Sequence, residues 1–369
     1  MPFELLRPTM NLGKILIRAD ANAEIGTGHV MRCLALAQAW QDAGGSAVFF
    51  MAETTPAISA RLTAERCIVE VVPVIRGSLE DAELVRKTAR KYRADWVVID
   101  GYKFGEEYQT RIRCDGNELL CIDDYGGSSQ YSADIILNQN VTADDSWYGA
   151  RCQNTKLLLG PRYCLLRREF APWREWKRKI SVVGRSVLLS LGGSTSAEVA
   201  VRVMESLDRV TVDGLQVLFA IGGSSENVGM LKRSAARFAS KITTQVDVSD
   251  MAQLISSADI AVSAAGSTCW ELCHLGLPAV LLDLAANQTP VASELQRQGC
   301  ALYAGNAQSF DPAELTNTVQ ELLMSQKLRT TLSQRSRKLV DGLGAERVIS
   351  AMLQARREPV LEATRGARI

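Results

Sequence analysis

The sequence predicts an α/β protein built from two Rossmann-like domains facing across a cleft. Three observations carry this. Short β-branched runs lead through glycine or polar turns into helical segments, the alternation of a parallel sheet covered on both faces. The alternation occurs twice, on either side of a basic, aromatic, proline-broken stretch, GPRYCLLRREFAPWREWKRKI, at residues 160–180. The 369 residues also suffice for two domains of ordinary size. The expected division is residues 10–166, residues 183–356 and a tail at 357–369.

Composition narrows the class. A hydrophobic content of 47% with 22% charged residues describes a soluble globular chain. The formal net charge of +1 provides no global field for nucleic acid or an anionic membrane. No apolar run approaches the ~18–20 residues needed to span a bilayer, and MPFELLRPT is no secretory h-region. Met10 stands directly before the first strand as an alternative start. The nine cysteines are scattered, without C-x-x-C spacing. That favours reduced, mostly buried thiols in the cytoplasm over a disulfide framework or a zinc site.

The chain is organised around residues 15–40, ILIRADANAEIGTGHVMRCLALAQAW. A strand at 15–17 meets a polar break at 20–22 and a glycine turn, Gly26-Thr27-Gly28. His29 follows, and Val30, Leu34 and Ala37 then recur at helical spacing. Glycines let backbone approach a ligand, and helix-start N–H groups favour an anion. The same helix start repels a cation, so His29 is expected to accept a proton rather than hold one. The plainer alternative is an ordinary βα turn that His29 merely caps.

Further strands read at 47–51 (AVFFM), within 65–74 (CIVEVV), at 95–100 (DWVVID), 119–124 (LLCIDD) and 134–138 (DIILN), with a charged amphipathic helix at 79–92. Ligands of such sheets sit at the carboxyl ends of strands. The polar residues to watch are therefore Asp20, Asn22, Asp100, Tyr102, Asp123, Asp124 and Asn138.

The second alternation begins at residue 187. VLLSL leads into Gly192-Gly193-Ser194-Thr195 and a helix, and LQVLFAI leads into Gly222-Gly223-Ser224-Ser225. The strand at 260–263 leads into Ala264-Ala265-Gly266-Ser267-Thr268 and a helix at 269–275. The strand from 279 leads into Asn287-Gln288, and 312–354 is mostly helical. The GGST and AGST units combine small residues, hydroxyls and helix starts, which suits the charge of a diphosphate. No G-x-x-x-x-G-K-[ST] run exists, which argues against a P-loop, and no D-x-D exists to hold a diphosphate through a metal. Glu271, one turn into the AGST helix, is placed to accept hydrogen bonds from a sugar diol, or else complements the helix dipole. His274 reads as a helix-end residue, and Cys269 with Cys273 as a packed pair.

In combination and order, these motifs resemble a known family. IRADANAEIGTGHVMRCLALA, DGY, LNQN, LLLGPRYCLLRREF and AAGSTCWELCHLGLPAVLLDLAANQ are similar to the bacterial UDP-sugar hydrolases of pseudaminic acid biosynthesis. Those enzymes act on UDP-2,4-diacetamido-2,4,6-trideoxy-β-L-altropyranose. The resemblance runs from about residue 15 to about 305. Its wider superfamily has the glycosyltransferase-B fold and includes the lipid I N-acetylglucosaminyltransferase. It implies that His29 activates water, with Asp20 and Tyr102 beside it in the catalytic set. It implies UDP and sugar contacts from Gly28, Gly193, Ser194, Gly266, Ser267, Thr268, Glu271, Asn287 and Gln288.

The implied reaction is cleavage of the C1–O bond of a UDP-sugar by water, with inversion, releasing UDP and free sugar. A neutral histidine within reach of one water suffices as base, and backbone N–H groups stabilise the departing UDP. Neither cofactor nor metal is expected, and no partner beyond the UDP-sugar. The oligomeric state stays open, a monomer included. Two alternatives stand: a UDP-sugar-dependent glycosyltransferase and a catalytically silent nucleotide-sugar-binding subunit.

Overall fold

The computed structural model describes residues 12–22, 25–193, 195–223, 225, 227–238 and 241–355. They divide into two units. The first holds residues 12–21, 29–168 and 343–355, the second 22–28 and 169–342.

In the first unit the chain runs β1 (Lys14–Ala19), α1 (Gly28–Asp42), β2 (Ser46–Met51), α2 (Pro56–Ala64), β3 (Ile68–Val71), α3 (Leu79–Tyr92) and β4 (Ala94–Asp100). It continues through α4 (Glu106–Arg113), β5 (Glu118–Ile122), β6 (Ile135–Asn138) and β7 (Lys156–Leu159). The strands form one parallel sheet in the order β3-β2-β1-β4-β5-β6-β7. Side chains alternate across it. Ile15, Ile17, Trp96 and Val98 pack on one face with Val30, Cys33 and Leu34 of α1. Leu16, Val97 and Ile99 pack on the other with Ala82, Val85 and Ala89 of α3. Both faces are thus buried, which is why the strands read as continuous apolar runs.

The second unit runs β8 (Ser186–Ser190), α5 (Ala197–Asp208), β9 (Gln216–Ile221), α6 (Val228–Ala236), β10 (Ile242–Val246), α7 (Met251–Ser257), β11 (Ile260–Ala264) and α8 (Thr268–Leu275). Then come β12 (Ala279–Asp283), α9 (Thr289–Arg297), β13 (Leu302–Asn306), α10 (Pro312–Met324) and α11 (Gln326–Leu339). Its parallel sheet has the order β10-β9-β8-β11-β12-β13. In each sheet the strand order reverses beside the first strand, between β1 and β4 and between β8 and β11. These are the switch points where open α/β sheets leave a crevice at their carboxyl ends.

The last helix, α12 (Gly344–Ala355), returns to the first unit. Val348, Ile349 and Met352 enter the core beside α1. A Cβ on Gly344 would lie 2.1 Å from the Cys164 carbonyl oxygen, so only glycine permits this approach. A linear division at 183–356 therefore differs from the observed packing at α12, and the turn 22–28 groups with the second unit. The three strands the pattern does not announce, β7, β10 and β13, are sheet edges with polar or half-exposed residues. Residues 1–11, which include the extension before Met10, and the tail from 356 lie outside the described residues. Among the described residues no helix is long and apolar enough to cross a membrane.

Candidate functional site

In the first unit, functional groups meet where α1 passes the carboxyl end of β4. His29, Arg32 and Cys33 are spaced i, i+3, i+4 and share one helix face. Asp100 ends β4 with the parity of Trp96 and Val98, the face that α1 covers. Its carboxylate is fully enclosed. Oδ1 lies 2.6 Å from His29 Nδ1 and 2.7 Å from Arg32 Nη2, which donates to it. Oδ2 accepts from Arg32 Nε at 2.7 Å and from the Cys33 thiol at 3.4 Å.

Arg32 then reaches the turn after β5. Its Nη1 and Nη2 donate to the two oxygens of Asp124 at 2.7 and 3.1 Å. One planar guanidinium thus bridges two carboxylates by paired hydrogen bonds, which a lysine cannot do. The Tyr102 hydroxyl donates to Asp124 Oδ2 at 3.1 Å, and Asn140 Nδ2 donates to Oδ1 at 3.0 Å. The Tyr102 ring stands edge-on to His29, centroids 4.9 Å apart.

Burial pushes the Asp100 carboxyl up, but Arg32 and then His29 outweigh it and hold the group well below the usual carboxylate range. The same contest lowers Asp124, where Arg32 again prevails over burial. Burial and the Asp124 charge push the Tyr102 hydroxyl well up, so it remains a donor. Burial and Asp100 likewise raise the Cys33 thiol, which makes it no nucleophile.

The short contact to a carboxylate fixes the imidazole tautomer. Nδ1 carries the proton and donates to Asp100, which leaves Nε2 as the acceptor nitrogen. Among the described residues Nε2 has no hydrogen-bond partner. With both carboxylates ionised and one guanidinium, the cluster around a neutral His29 carries one net negative charge. This is the arrangement of an oriented general base.

Asp20 sits elsewhere on the first sheet. Its Oδ1 accepts from Ala52 N at 2.7 Å and Glu53 N at 3.1 Å, and Oδ2 pairs with Arg18 at 2.6 Å. It therefore holds the loop after β2 against the end of β1. Asn22 shapes the glycine turn by accepting from Ile25 N at 2.7 Å, and Gly28 opens α1. Asn138 donates to the Tyr148 hydroxyl at 2.9 Å and positions Asn140 by accepting from its N–H.

In the second unit the glycine loops gather at the β8/β11 switch point. Ser263 on β11 donates to the Ser190 carbonyl on β8 at 3.0 Å. Gly222 and Gly193 lie back to back, since a Cβ on Gly222 would be 3.5 Å from Gly193 Cα. Gly266 and Gln288 are likewise neighbours, a Cβ on Gly266 being 3.6 Å from Gln288 Nε2. Gln288 Oε1 accepts from Leu284 N at 2.9 Å, which turns its amide nitrogen toward the Gly266 loop. Ser267 precedes α8 without capping it through its side chain, and Thr268 begins the helix. Glu271 stands half-buried in the first turn, and Asn287 is exposed before α9. Backbone N–H groups, hydroxyls and an amide thus gather past the carboxyl ends of β8 and β11, a donor set of the kind that suits an anion. Ser194 lies outside the described residues. At the other end of α8, His274 is buried, with Nε2 3.2 Å from the Phe170 carbonyl and Nδ1 3.4 Å from that of Val340. Cys269 and Cys273 are buried and unbridged.

Residues 187–347 match the model of the Glycosyltransferase family 28 C-terminal domain. The fold is glycosyltransferase-B. MurG of Acinetobacter baumannii superposes with a TM-score of 0.60 at 17% identity, over 93% of this chain and 99% of that one. Among curated proteins, the spore coat polysaccharide biosynthesis protein SpsG of Bacillus subtilis is 28% identical over 92% of this chain and 97% of its own. The UDP-2,4-diacetamido-2,4,6-trideoxy-beta-L-altropyranose hydrolase of Campylobacter jejuni is 23% identical over 78% of this chain and 97% of its own.

Of the predicted catalytic residues, His29 and Tyr102 come together, while Asp20 belongs to a neighbouring network. Arg32 and Asn140 are the site residues the sequence reading missed. The H-x-x-R spacing in α1, pointing at an aspartate that ends a neighbouring strand, is the signal that would have found Arg32.

Proposed function

We propose that this chain hydrolyses a UDP-linked diacetamido-trideoxy sugar at the C1–O bond, releasing UDP and free sugar with inversion, as a step of nonulosonic (pseudaminic) acid biosynthesis. The observation that carries the reading is the His29–Asp100 pair, which orients an imidazole with Nε2 as acceptor. The distant similarity to the Campylobacter hydrolase supports the sugar class.

In this reading Nε2 takes a proton from water as the water oxygen bonds to C1. The C1–O bond breaks with its electron pair leaving on UDP. Asp100 stabilises the imidazolium that forms, and Arg32 keeps Asp100 and Asp124 ionised and in place. Tyr102 contacts the sugar from its position beside His29. Asp20 contributes by holding the loop after β2. Gly193, Ser194, Gly266, Ser267, Thr268, Glu271, Asn287 and Gln288 hold UDP, and the Gly28 backbone lies beside the sugar. Helix N–H groups and hydroxyls stabilise the phosphate charge that develops on departure.

The match to a glycosyltransferase family domain favours a second reading, in which a hydroxyl of an acceptor replaces water. Incubation of the purified chain with UDP-diacetamido sugars and no acceptor separates the two. Release of UDP with water-derived oxygen at C1, followed by mass spectrometry in ¹⁸O-water, is the expected result. UDP release that begins only when an acceptor is added would establish transfer instead.

A further inference from the structure

We propose that Tyr125, set in place by Gly127, forms with Tyr102 an aromatic ledge that receives the C–H face of the sugar, and so determines how the sugar half of the substrate is held. The inference rests on the nucleotide-sugar reading above and adds Tyr125, a residue that the sequence pattern did not single out.

Tyr102 and Tyr125 are 49% and 47% exposed, unusual for large aromatic residues of a folded chain. They are not scattered: their centroids lie 5.5 Å apart, and Tyr102 in turn abuts His29. The ledge therefore begins at the base and leads away from it. Tyr102 turns its hydroxyl inward to Asp124, which leaves its ring as the contact surface.

The loop that carries Tyr125 is rigidly built. Asp123 Oδ1 accepts from the N–H groups of Asp124, Tyr125 and Gly126 at 2.5, 3.0 and 3.3 Å. Its Oδ2 accepts from the hydroxyl of the buried Tyr131. Gly126 has φ +74°, and a Cβ there would lie 2.7 Å from Trp147 Cβ, so the turn is pressed against its neighbour. Gly127 leaves room for the Tyr125 ring to fold back over the backbone. A Cβ on Gly127 would meet ring atoms of Tyr125 at 2.5 and 2.8 Å and its hydroxyl oxygen at 2.9 Å. The backbone that carries the ring is thus fixed before any ligand arrives, as expected of a preorganised binding surface. Ring faces pack against the C–H groups of a pyranose, while hydroxyls are satisfied at its rim.

Gly127→Ala is the telling variant. The methyl group displaces only the far end of a mobile side chain, so the fold survives while the ring swings off the ledge. Binding of UDP and of a panel of UDP-diacetamido sugars is measured calorimetrically in a His29→Asn background, where consumption of substrate is slowed. The sugar is expected to add affinity over UDP alone. Tyr125→Ala and Gly127→Ala are expected to lose about tenfold or more of that increment, with UDP binding unaltered, and Tyr125→Phe is expected to keep it. An undiminished increment in Tyr125→Ala, a sugar that adds none, or an equal loss for UDP itself would overturn the ledge. Hydrolysis is read separately, as UDP release by the native chain: a native chain that releases none, yet shows the Tyr125 effect on binding, refutes the hydrolase reading and keeps the ledge.

Discussion

His29 Nδ1 and Asp100 Oδ1 are 2.6 Å apart although 71 residues separate them in the chain. Helix α1 and strand β4 meet at the sheet's switch point, and their contact orients the histidine proposed as the base. Removing that base typically costs ~10²–10⁴-fold in rate. His29→Asn is therefore expected to lower kcat by that range, with UDP affinity nearly unchanged. Single-turnover UDP release and UDP calorimetry together check this. A variant with normal turnover and weakened UDP binding would make His29 a phosphate ligand.

Arg32 bridges Asp100 and Asp124, so its loss leaves two enclosed carboxylates without their counter-ion. Breaking such a pair costs about 3–5 kcal/mol. Arg32→Met should lower the thermal midpoint and kcat together while UDP still binds. Arg32→Lys should rescue stability only in part, since a point charge cannot form both paired contacts. Full recovery of both quantities by lysine would show that charge alone matters.

How much of this was readable beforehand depends on whether the signal was local. The helix at 79–92 was legible to the residue, because Ser78 caps it and its apolar positions repeat. The AGST turn before α8 was legible from glycine and hydroxyls at a strand end. Arg32 was not, because an arginine on a helix reads as a solvated charge until the fold brings Asp100 against it. Asn140 was hidden likewise in a loop whose partner, Asp124, follows a different strand. The return of α12 to the first unit is a matter of which core its apolar face completes, and a linear boundary carries no trace of that.

The α8 loop predicts a different kinetic signature from that of His29. Ser267, Thr268 and Glu271 sit at the start of α8, which in the proposed reading would hold ground-state phosphate and sugar as well as the transition state. Losing such uniform binding raises KM before it lowers kcat. Ser267→Ala and Glu271→Ala are expected to raise KM for the UDP-sugar and weaken UDP binding. A large fall in kcat at unaltered KM for Glu271→Ala would contradict the assignment.

Hydrolysis is expected to proceed without a divalent cation. The single guanidinium of Arg32 already bridges the two carboxylates nearest His29, the place a metal would take between them. In the proposed reading the diphosphate is met by N–H and hydroxyl donors rather than by a metal. UDP release should therefore survive EDTA treatment at native rate. Loss of activity that magnesium restores would overturn this.

His274 gives the chain an acid-sensitive point far from the chemistry. Burial lowers its pKa below the ordinary 6.5, and Arg337 and Arg174 press the same way, against the Phe170 and Val340 carbonyls. The folded protein thus binds fewer protons here than the unfolded chain just below that value, so acid favours unfolding. The stability it contributes is present above about pH 6.5 and is lost as pH falls through the folded value. Phe170 and Val340 flank two of the four places where the chain crosses between its units, 168/169 and 342/343. His274→Gln retains an N–H donor for one carbonyl and cannot titrate. Its thermal midpoint is expected to fall less between pH 7 and pH 5.5 than that of the native chain. An identical slope for the two proteins would show that His274 does not set the acid limit.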